Sequence, residues 1–331
     1  MKTPLLQKHR GFFNIFKCIN LTTMEFGRVE ATELKNIDFT LPKDGAQTAL
    51  TLANLQPAAN PQFYVGCAKW GRKEWKELIY PKKTKEADFL GAYVKHFNSI
   101  ELNAIFYSIP KEDQILKWKE MVTANTSKEF IFCPKFSRSI THLKRLNNAD
   151  IETDLYLKAI AAFGEYLGPC FLQVGDNFGP KNLGILTTYL SKLPKDLKLF
   201  VEVRHEDWFK DATARKELFD MLSQLNKGAA ITDASGRRDC LHMELTTPEA
   251  FIRFVGNGGA NLASDKARVD DWVLRIKQWL DQGLQSVYFF LHQHDEADTP
   301  LIADYTIAQF NKHLGSNLDR INFINSDNLL F

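Results

Sequence analysis

From Phe63 onward the chain alternates between short apolar runs and longer stretches whose apolar residues recur at helical spacing. Eight short runs stand out, at 63–68, 98–104, 129–135, 169–174, 197–203, 228–233, 250–255 and 286–291. Candidate helices lie between most of them, near 86–96, 112–123, 152–166, 181–192, 209–226, 266–283 and 301–314. Fully apolar strands alternating with helices belong to a parallel sheet covered on both faces. Eight such units in succession predict closure into a TIM-type (β/α)8 barrel. The sixth connection, residues 234–248, has little helical period and predicts a loop with about one turn. A doubly wound open sheet is the alternative, but no G-x-G-x-x-G follows the first run and no G-x-x-x-x-G-K-[ST] occurs.

The polar residues that interrupt these runs carry the functional signal. In a strand, positions two apart share a face. In Ser99-Ile100-Glu101-Leu102-Asn103 the aliphatic pair suits the helix layer, which turns Glu101 and Asn103 into the barrel. The same alternation in Leu199–His205 turns Glu202 and Arg204 inward together. The other strands each contribute one polar residue near the C-terminal end: Lys69, Lys135, Gln173, Asp233, Arg253 and His292. Barrel active sites stand at that end. A buried lone charge costs several kcal/mol, so such residues must pair or face a wet pocket.

Loops add to this rim. Arg138, Thr141 and His142 follow the third strand, in company with Lys135. The turn Val255-Gly256-Asn257-Gly258-Gly259 follows the seventh, where many barrels hold phosphate on backbone N–H groups. Trp70 and Tyr107 are the aromatics expected to wall the pocket, whereas Trp272 and Trp279, seven apart, are expected to face the core.

Length and composition keep this picture and narrow it. The 331 residues, 44% of them hydrophobic, suffice for one large core, with no second domain required. With 42 basic and 40 acidic side chains the net charge is +2, which gives no chain-wide field for nucleic acid or anionic membrane. The five cysteines are widely spaced with no C-x-x-C pair, arguing against a zinc ribbon or disulfide framework and for a reducing, cytoplasmic setting. The apolar run Phe12–Ile19, broken by Lys17, is too short for a membrane helix and lacks a cleavage site, so no signal peptide is read. Residues 1–60 are read as an N-terminal extension and linker, of which 1–23, before Met24, add nothing to the fold; residues 61–331 are read as the barrel.

Several runs carry a resemblance. Gly66-Cys67-Ala68-Lys69-Trp70, Tyr80-Pro81, Phe97-x-x-Ile100-Glu101-Leu102-Asn103-x-x-Phe106-Tyr107-x-x-Pro110 and Lys135-x-x-Arg138-x-x-Thr141-His142 resemble the YecE-like proteins, the domain-of-unknown-function 72 family. Leu167-Gly168-Pro169-x-x-x-Gln173, Glu202-Val203-Arg204-His205-x-x-Trp208, Asp233 and Ile252-Arg253-Phe254-Val255-Gly256 extend the resemblance over about residues 62–315. It implies a (β/α)8-type barrel and names no activity. The chain departs from the family pattern at Cys67-Ala68-Lys69 and at Leu291-His292-Gln293-His294-Asp295.

Three functions follow as expectations. The first is an enzyme acting on a phosphorylated ligand, a sugar phosphate or nucleic-acid phosphodiester. Lys135, Arg138, Arg204 and Arg253 would bind it, with Glu101 or Glu202 as base and His142 as acid or charge stabiliser. The second is a divalent-metal barrel like sugar isomerases or endonuclease IV, drawing on Glu101, Glu202, Asp233, His205, His292 and His294. The third is a non-catalytic barrel for nucleic acid or a partner protein, with Lys82-Lys83-Thr84-Lys85 and Arg237-Arg238 on phosphates. No membrane partner is expected, and nothing in the sequence sets an oligomeric state.

Overall fold

The computed structural model describes residues 27–324. The eight apolar runs become β1 (Gln62–Cys67), β2 (Ser99–Leu102), β3 (Ile131–Pro134), β4 (Cys170–Gln173), β5 (Leu199–Glu202), β6 (Gly228–Ala234), β7 (Glu249–Gly256) and β8 (Ser286–Gln293). They pair in parallel in the order β3-β2-β1-β8-β7-β6-β5-β4. The ring closes between β3 and β4 through two parallel bridges, Phe132 to Leu167 and Lys135 to Phe171. This seam is thin for a reason in the sequence. Lys135 donates its N–H towards β2, to Leu102 O, and Phe136 donates towards β4, to Phe171 O. The alternation leaves Pro134 facing β4 with no hydrogen to give.

Helix α1 (Ala46–Leu52) precedes the barrel. The outer layer then runs α2 (Phe89–Tyr93), α3 (Ala104–Tyr107), α4 (Glu112–Asn125), α5 (Asp150–Ala161), α6 (Leu183–Lys192), α7 (Asp207–Lys210), α8 (Ala212–Gln224), α9 (Leu262–Asp281) and α10 (Thr299–His313). Helix α9 buries Val269, Trp272, Val273, Ile276, Trp279 and Leu280, the stripe that two tryptophans seven apart foretell. Helix α8 starts at Asp211, whose carboxylate accepts the N–H groups of Thr213 and Ala214.

The sixth connection has no α-helix: Ser235–Cys240 make a tight 3-10 segment and residues 241–248 are irregular, with bends at 246–248. Helix α1 fills the gap. Thr48 and Thr51 donate hydroxyls to Met243 O and Leu245 O, and Gln47 reaches Ser223 on α8 at 3.1 Å. Asp44, just before α1, accepts from Arg275 and Trp279 on α9. The segment expected as an irregular extension therefore supplies a helix between α8 and α9. The expectation for residues 1–23 lies outside the described residues. Among the described residues no helix is long and apolar enough to cross a membrane, and Cys67, Cys133, Cys170 and Cys240 are buried free thiols.

Inside the ring, Tyr64, Ile131, Cys133, Phe171, Phe200, Ala230, Phe251, Tyr288 and Phe290 form one apolar cluster. Phe251 lies 5.3 Å from Phe171, 5.0 Å from Phe200 and 4.9 Å from Phe290, ring centre to ring centre. This aromatic plug is the floor on which the polar residues stand.

Candidate functional site

Strand alternation places each inward polar residue one step above the plug. Lys135 follows Cys133, Gln173 follows Phe171, Glu202 follows Phe200, Arg253 follows Phe251 and His292 follows Phe290, each by two residues. Glu101 lies level with Cys133 on the neighbouring strand. Expected positions on β2, β3, β4, β5, β7 and β8 thus meet in one layer.

The layer is a hydrogen-bonded belt. Arg253 grips Glu101 with two bonds, Nε to Oε2 at 2.7 Å and a terminal nitrogen to Oε1 at 2.9 Å. Its other terminal nitrogen donates to Glu202 Oε2 at 2.9 Å. Asn103 Nδ2 adds a bond to Glu101 Oε1 at 2.9 Å, and His292 Nε2 lies 3.2 Å from Glu101 Oε2. Glu202 Oε1 accepts from Arg204 Nε at 2.5 Å and from Gln173 Nε2 at 2.8 Å. The Gln173 carbonyl in turn accepts from Lys135 Nζ at 3.0 Å. Lys135 Nζ makes no other bond to an oxygen among the described residues; it rests 4.5 Å from the Phe106 ring centre and 5.4 Å from that of Phe171.

These contacts fix the charge states. Burial pushes the Glu101 carboxyl up, but Arg253 and His292 outweigh it and hold it well below the usual range. Burial acts likewise on Glu202, where Arg204 and Arg253 prevail and bring it down to about 2. Lys135 goes the other way. Burial, reinforced by Arg253, lowers its ammonium to about 7 against the opposing pull of Glu101. Burial and the cations Lys135, Arg204 and Arg138 lower His142 to about 4. His142 Nδ1 is engaged by the Thr141 hydroxyl at 2.8 Å, and its ring stands edge-on to Phe106 at 5.2 Å.

Two expected roles change in consequence. Glu101 and Glu202 accept hydrogen bonds at both oxygens and stay ionised, so neither has the basicity expected of a general base. His142 is neutral near pH 7 and so is not a loaded proton donor there. Lys135, 7% exposed below the cavity and not among its lining residues, is the belt cation whose pKa is lowered towards neutrality.

Above the belt opens a cavity of about 490 Å³, lined among others by Lys69, Arg72, Arg204, Arg253, His292, Gln293 and Glu296. Arg72, which sequence reasoning missed, pairs with Glu296 at 2.7 Å. Gln293 was missed too: it is 4% exposed, and neither amide atom has a hydrogen-bond partner among the described residues. The departure from the family pattern at residues 291–295 was the available signal for it. Lys69 is exposed at the cavity wall, and Arg138 is exposed at the start of the segment that carries His142.

Other expected residues stand elsewhere. In β6 the inward parity belongs to Ala230, so Asp233 points out into the helix layer. There it accepts from the Trp272 indole at 2.8 Å and pairs with Arg268 at 2.9 Å and with Arg238. The glycine turn is already occupied. Asn257 N and Gly258 N donate to Asp265 at 2.8 and 2.9 Å, and Gly259 N donates to Asp298. A Cβ on Gly256 would come within 2.5 Å of the Gln293 amide and 2.8 Å of Asp265, so Gly256 serves close packing rather than a phosphate. Trp70 packs edge-on against Trp118, and Tyr107 is 76% exposed beside Phe106; neither lines the cavity.

Several residues of the metal alternative, and the arginine pair of the nucleic-acid alternative, are engaged within the chain, whereas Lys82, Lys83 and Lys85 stay exposed. A guanidinium occupies the space between Glu101 and Glu202, and His205 lies 3.6 Å from Asp207. Among the described residues no group of three or more His, Cys, Asp or Glu is placed to hold a metal ion. Arg237 donates to Asp239 and to Arg204 O, and Arg238 to Asp233, Phe39 O and Thr40 O. Neither is offered to a phosphate backbone.

Comparison with known proteins agrees with this architecture. Residues 64–321 match the model of the family described as "Protein of unknown function DUF72". The UPF0759 protein YecE of Escherichia coli K12 is 28% identical over 256 residues, which cover 72% of this chain and 89% of YecE. A DUF72 family protein from Enterococcus faecalis superposes with a TM-score of 0.58 at 18% identity, covering 78% of this chain and all of that one. Another, from Thermotoga maritima, gives 0.56 at 22% identity, over 77% of this chain and all of its own. The chain belongs to the DUF72 family and carries its TIM-type barrel.

Proposed function

We propose that the barrel binds a small anionic ligand, phosphorylated or carboxylated, at its C-terminal mouth and acts on it through proton transfer at Lys135. One observation carries this reading: the residues around the cavity include more cations than carboxylates. Lys69, Arg72, Arg204 and Arg253 line it against Glu74, Asp295 and Glu296. A surplus of positive charge around an open cavity favours an anion from outside, and arginine forks suit phosphate and carboxylate oxygens. The glycine turn lends no support, since its N–H groups are taken; the cationic side chains alone support the reading. Its test is a thermal-shift series on the full chain with inorganic phosphate, sugar phosphates, hydroxy and keto acids, and uncharged sugars. Anions should raise the melting temperature, neutral sugars should not, and Arg204→Gln should weaken the best anion about tenfold, or about 1.4 kcal/mol. No stabilisation by any anion would defeat the proposal.

A further inference from the structure

Lys135 differs from every other cation of the belt in how it is held. Arg253 makes its three bonds to carboxylates, and Arg204 bonds one directly. Lys135 Nζ has a single oxygen acceptor, the neutral Gln173 amide, and otherwise meets the faces of Phe106 and Phe171. An ammonium with three hydrogens is poorly solvated there, whereas a neutral amine needs no more than this setting offers. The charged groups around it are Arg253 and Arg204, which repel a proton, and Glu101 and Glu202, whose oxygens those guanidiniums already hold. The backbone is fixed on both sides, by Leu102 O on β2 and by the closing bridge to Phe171 on β4.

We infer that Lys135 is a nucleophilic amine that condenses with the carbonyl of an aldehyde or ketone bearing a phosphate or carboxylate group. The inference rests on the anion-binding reading, since Arg204 and Arg253, which line the cavity, would hold the anionic group. The Nζ lone pair attacks the carbonyl carbon, a C–N bond forms, and one amine proton passes to the carbonyl oxygen to give a carbinolamine. The C–O bond then breaks, and the hydroxyl leaves as water with the second amine proton, giving the imine.

Borohydride trapping on the full chain tests this. Pyridoxal 5′-phosphate and glyoxylate serve as anionic carbonyl probes and acetaldehyde as the uncharged one, each at pH 7, with the reduced adducts located by peptide mass mapping. The expected result is modification of Lys135 ahead of the exposed Lys82, Lys83 and Lys85, at least tenfold slower with acetaldehyde, and suppressed by inorganic phosphate. Lys135→Arg should lose the adduct while phosphate still raises the melting temperature. Adducts confined to surface lysines, with phosphate stabilisation intact, would overturn the imine and leave the anion site standing. Absence of both adduct and phosphate stabilisation would overturn the two together. Mapping on the unmodified sequence keeps the test decisive even where a Lys135 variant folds poorly.

Discussion

The molecule builds two buried charge networks from the same materials, one at the barrel mouth and one behind β6 and β7. In the rear network Asp233 and Asp265 face Arg268 and Arg238, so charge balances. Arg268 is sandwiched between the Phe254 and Phe39 rings at 4.3 and 4.9 Å, and Asp265 ties down the glycine turn. At the mouth Arg253 likewise bridges two carboxylates, but Arg204 and Lys135 are added and a cavity opens above. The rear network is closed and balanced, which suits a clamp between sheet and helix. The mouth carries an amine with one oxygen partner below a cavity lined by more cations than carboxylates, arrangements that stability alone does not favour. Burial and pairing do not separate a structural cluster from a functional one; charge balance and access to space do.

The comparison is broken most directly by removing the bridging guanidinium of each network. Arg253→Met leaves Glu101 and Glu202 facing each other in the barrel, and should cost about 3–5 kcal/mol in urea unfolding at pH 7. Part of that loss should return as pH falls, because two buried carboxylates that have lost their shared guanidinium have higher pKa values and take up a proton more readily. Anion binding should vanish with it. Asp233→Asn strips Arg268 and Arg238 of a shared counter-charge and should cost about 3 kcal/mol, while phosphate affinity at the mouth stays within about twofold. A large loss of phosphate binding in Asp233→Asn would show that the two networks are one.

The strands, the sixth loop and most of the mouth were legible because alternation in a strand is strict. Glu101, Glu202, Gln173, Lys135, Arg253 and His292 all follow from parity and closeness to a strand end. Asp233 misled because it was placed by its nearness to the strand end, when the parity of Ala230 already turned it outward. The glycine turn misled because no local pattern says whose carboxylate takes its N–H groups; Asp265 stands a further turn and a helix start away in sequence. Helix α1 was hidden for another reason. Its partners Met243, Leu245, Arg275 and Trp279 lie roughly two hundred residues on, and short-range periodicity holds no record of such docking.

A smaller effect, with a diagnostic sign, is expected at Lys135. Replacing a poorly solvated ammonium by an apolar chain, as in Lys135→Met, should leave stability at pH 7 unchanged or raise it by about 1 kcal/mol. The pH dependence sharpens this. The folded-state value of about 7 lies below the ordinary lysine range, so between the two the unfolded chain binds the extra proton. Stability from this group therefore rises as pH climbs from about 7 towards the unfolded-state value, and is level, at its lowest, below 7 where both states hold the proton. The wild type should show that rise in urea midpoints between pH 7 and 10, and Lys135→Met should lack it. A Lys135→Met protein several kcal/mol less stable at pH 7 would mean that the amine is a satisfied structural cation, and the contrast with the rear network would fail.

The finest test concerns Gln293, where space rather than charge sets the mouth apart. Its amide lies in the cavity wall, without a protein hydrogen-bond partner among the described residues, beside Gly256, where a Cβ would collide with it. Shielded from water and unpaired, such an amide costs about 1–3 kcal/mol. Gln293→Met, close in volume, should thus leave stability unchanged or raise it by about 1 kcal/mol. It should weaken hydroxylated anions such as sugar phosphates about three- to tenfold, the scale of one lost hydrogen bond. Inorganic phosphate, held by arginine alone, should bind as before. Equal weakening of both would place Gln293 in the shape of the whole mouth, while a sugar-selective loss would give it the reading of hydroxyl groups and leave the arginines the reading of charge.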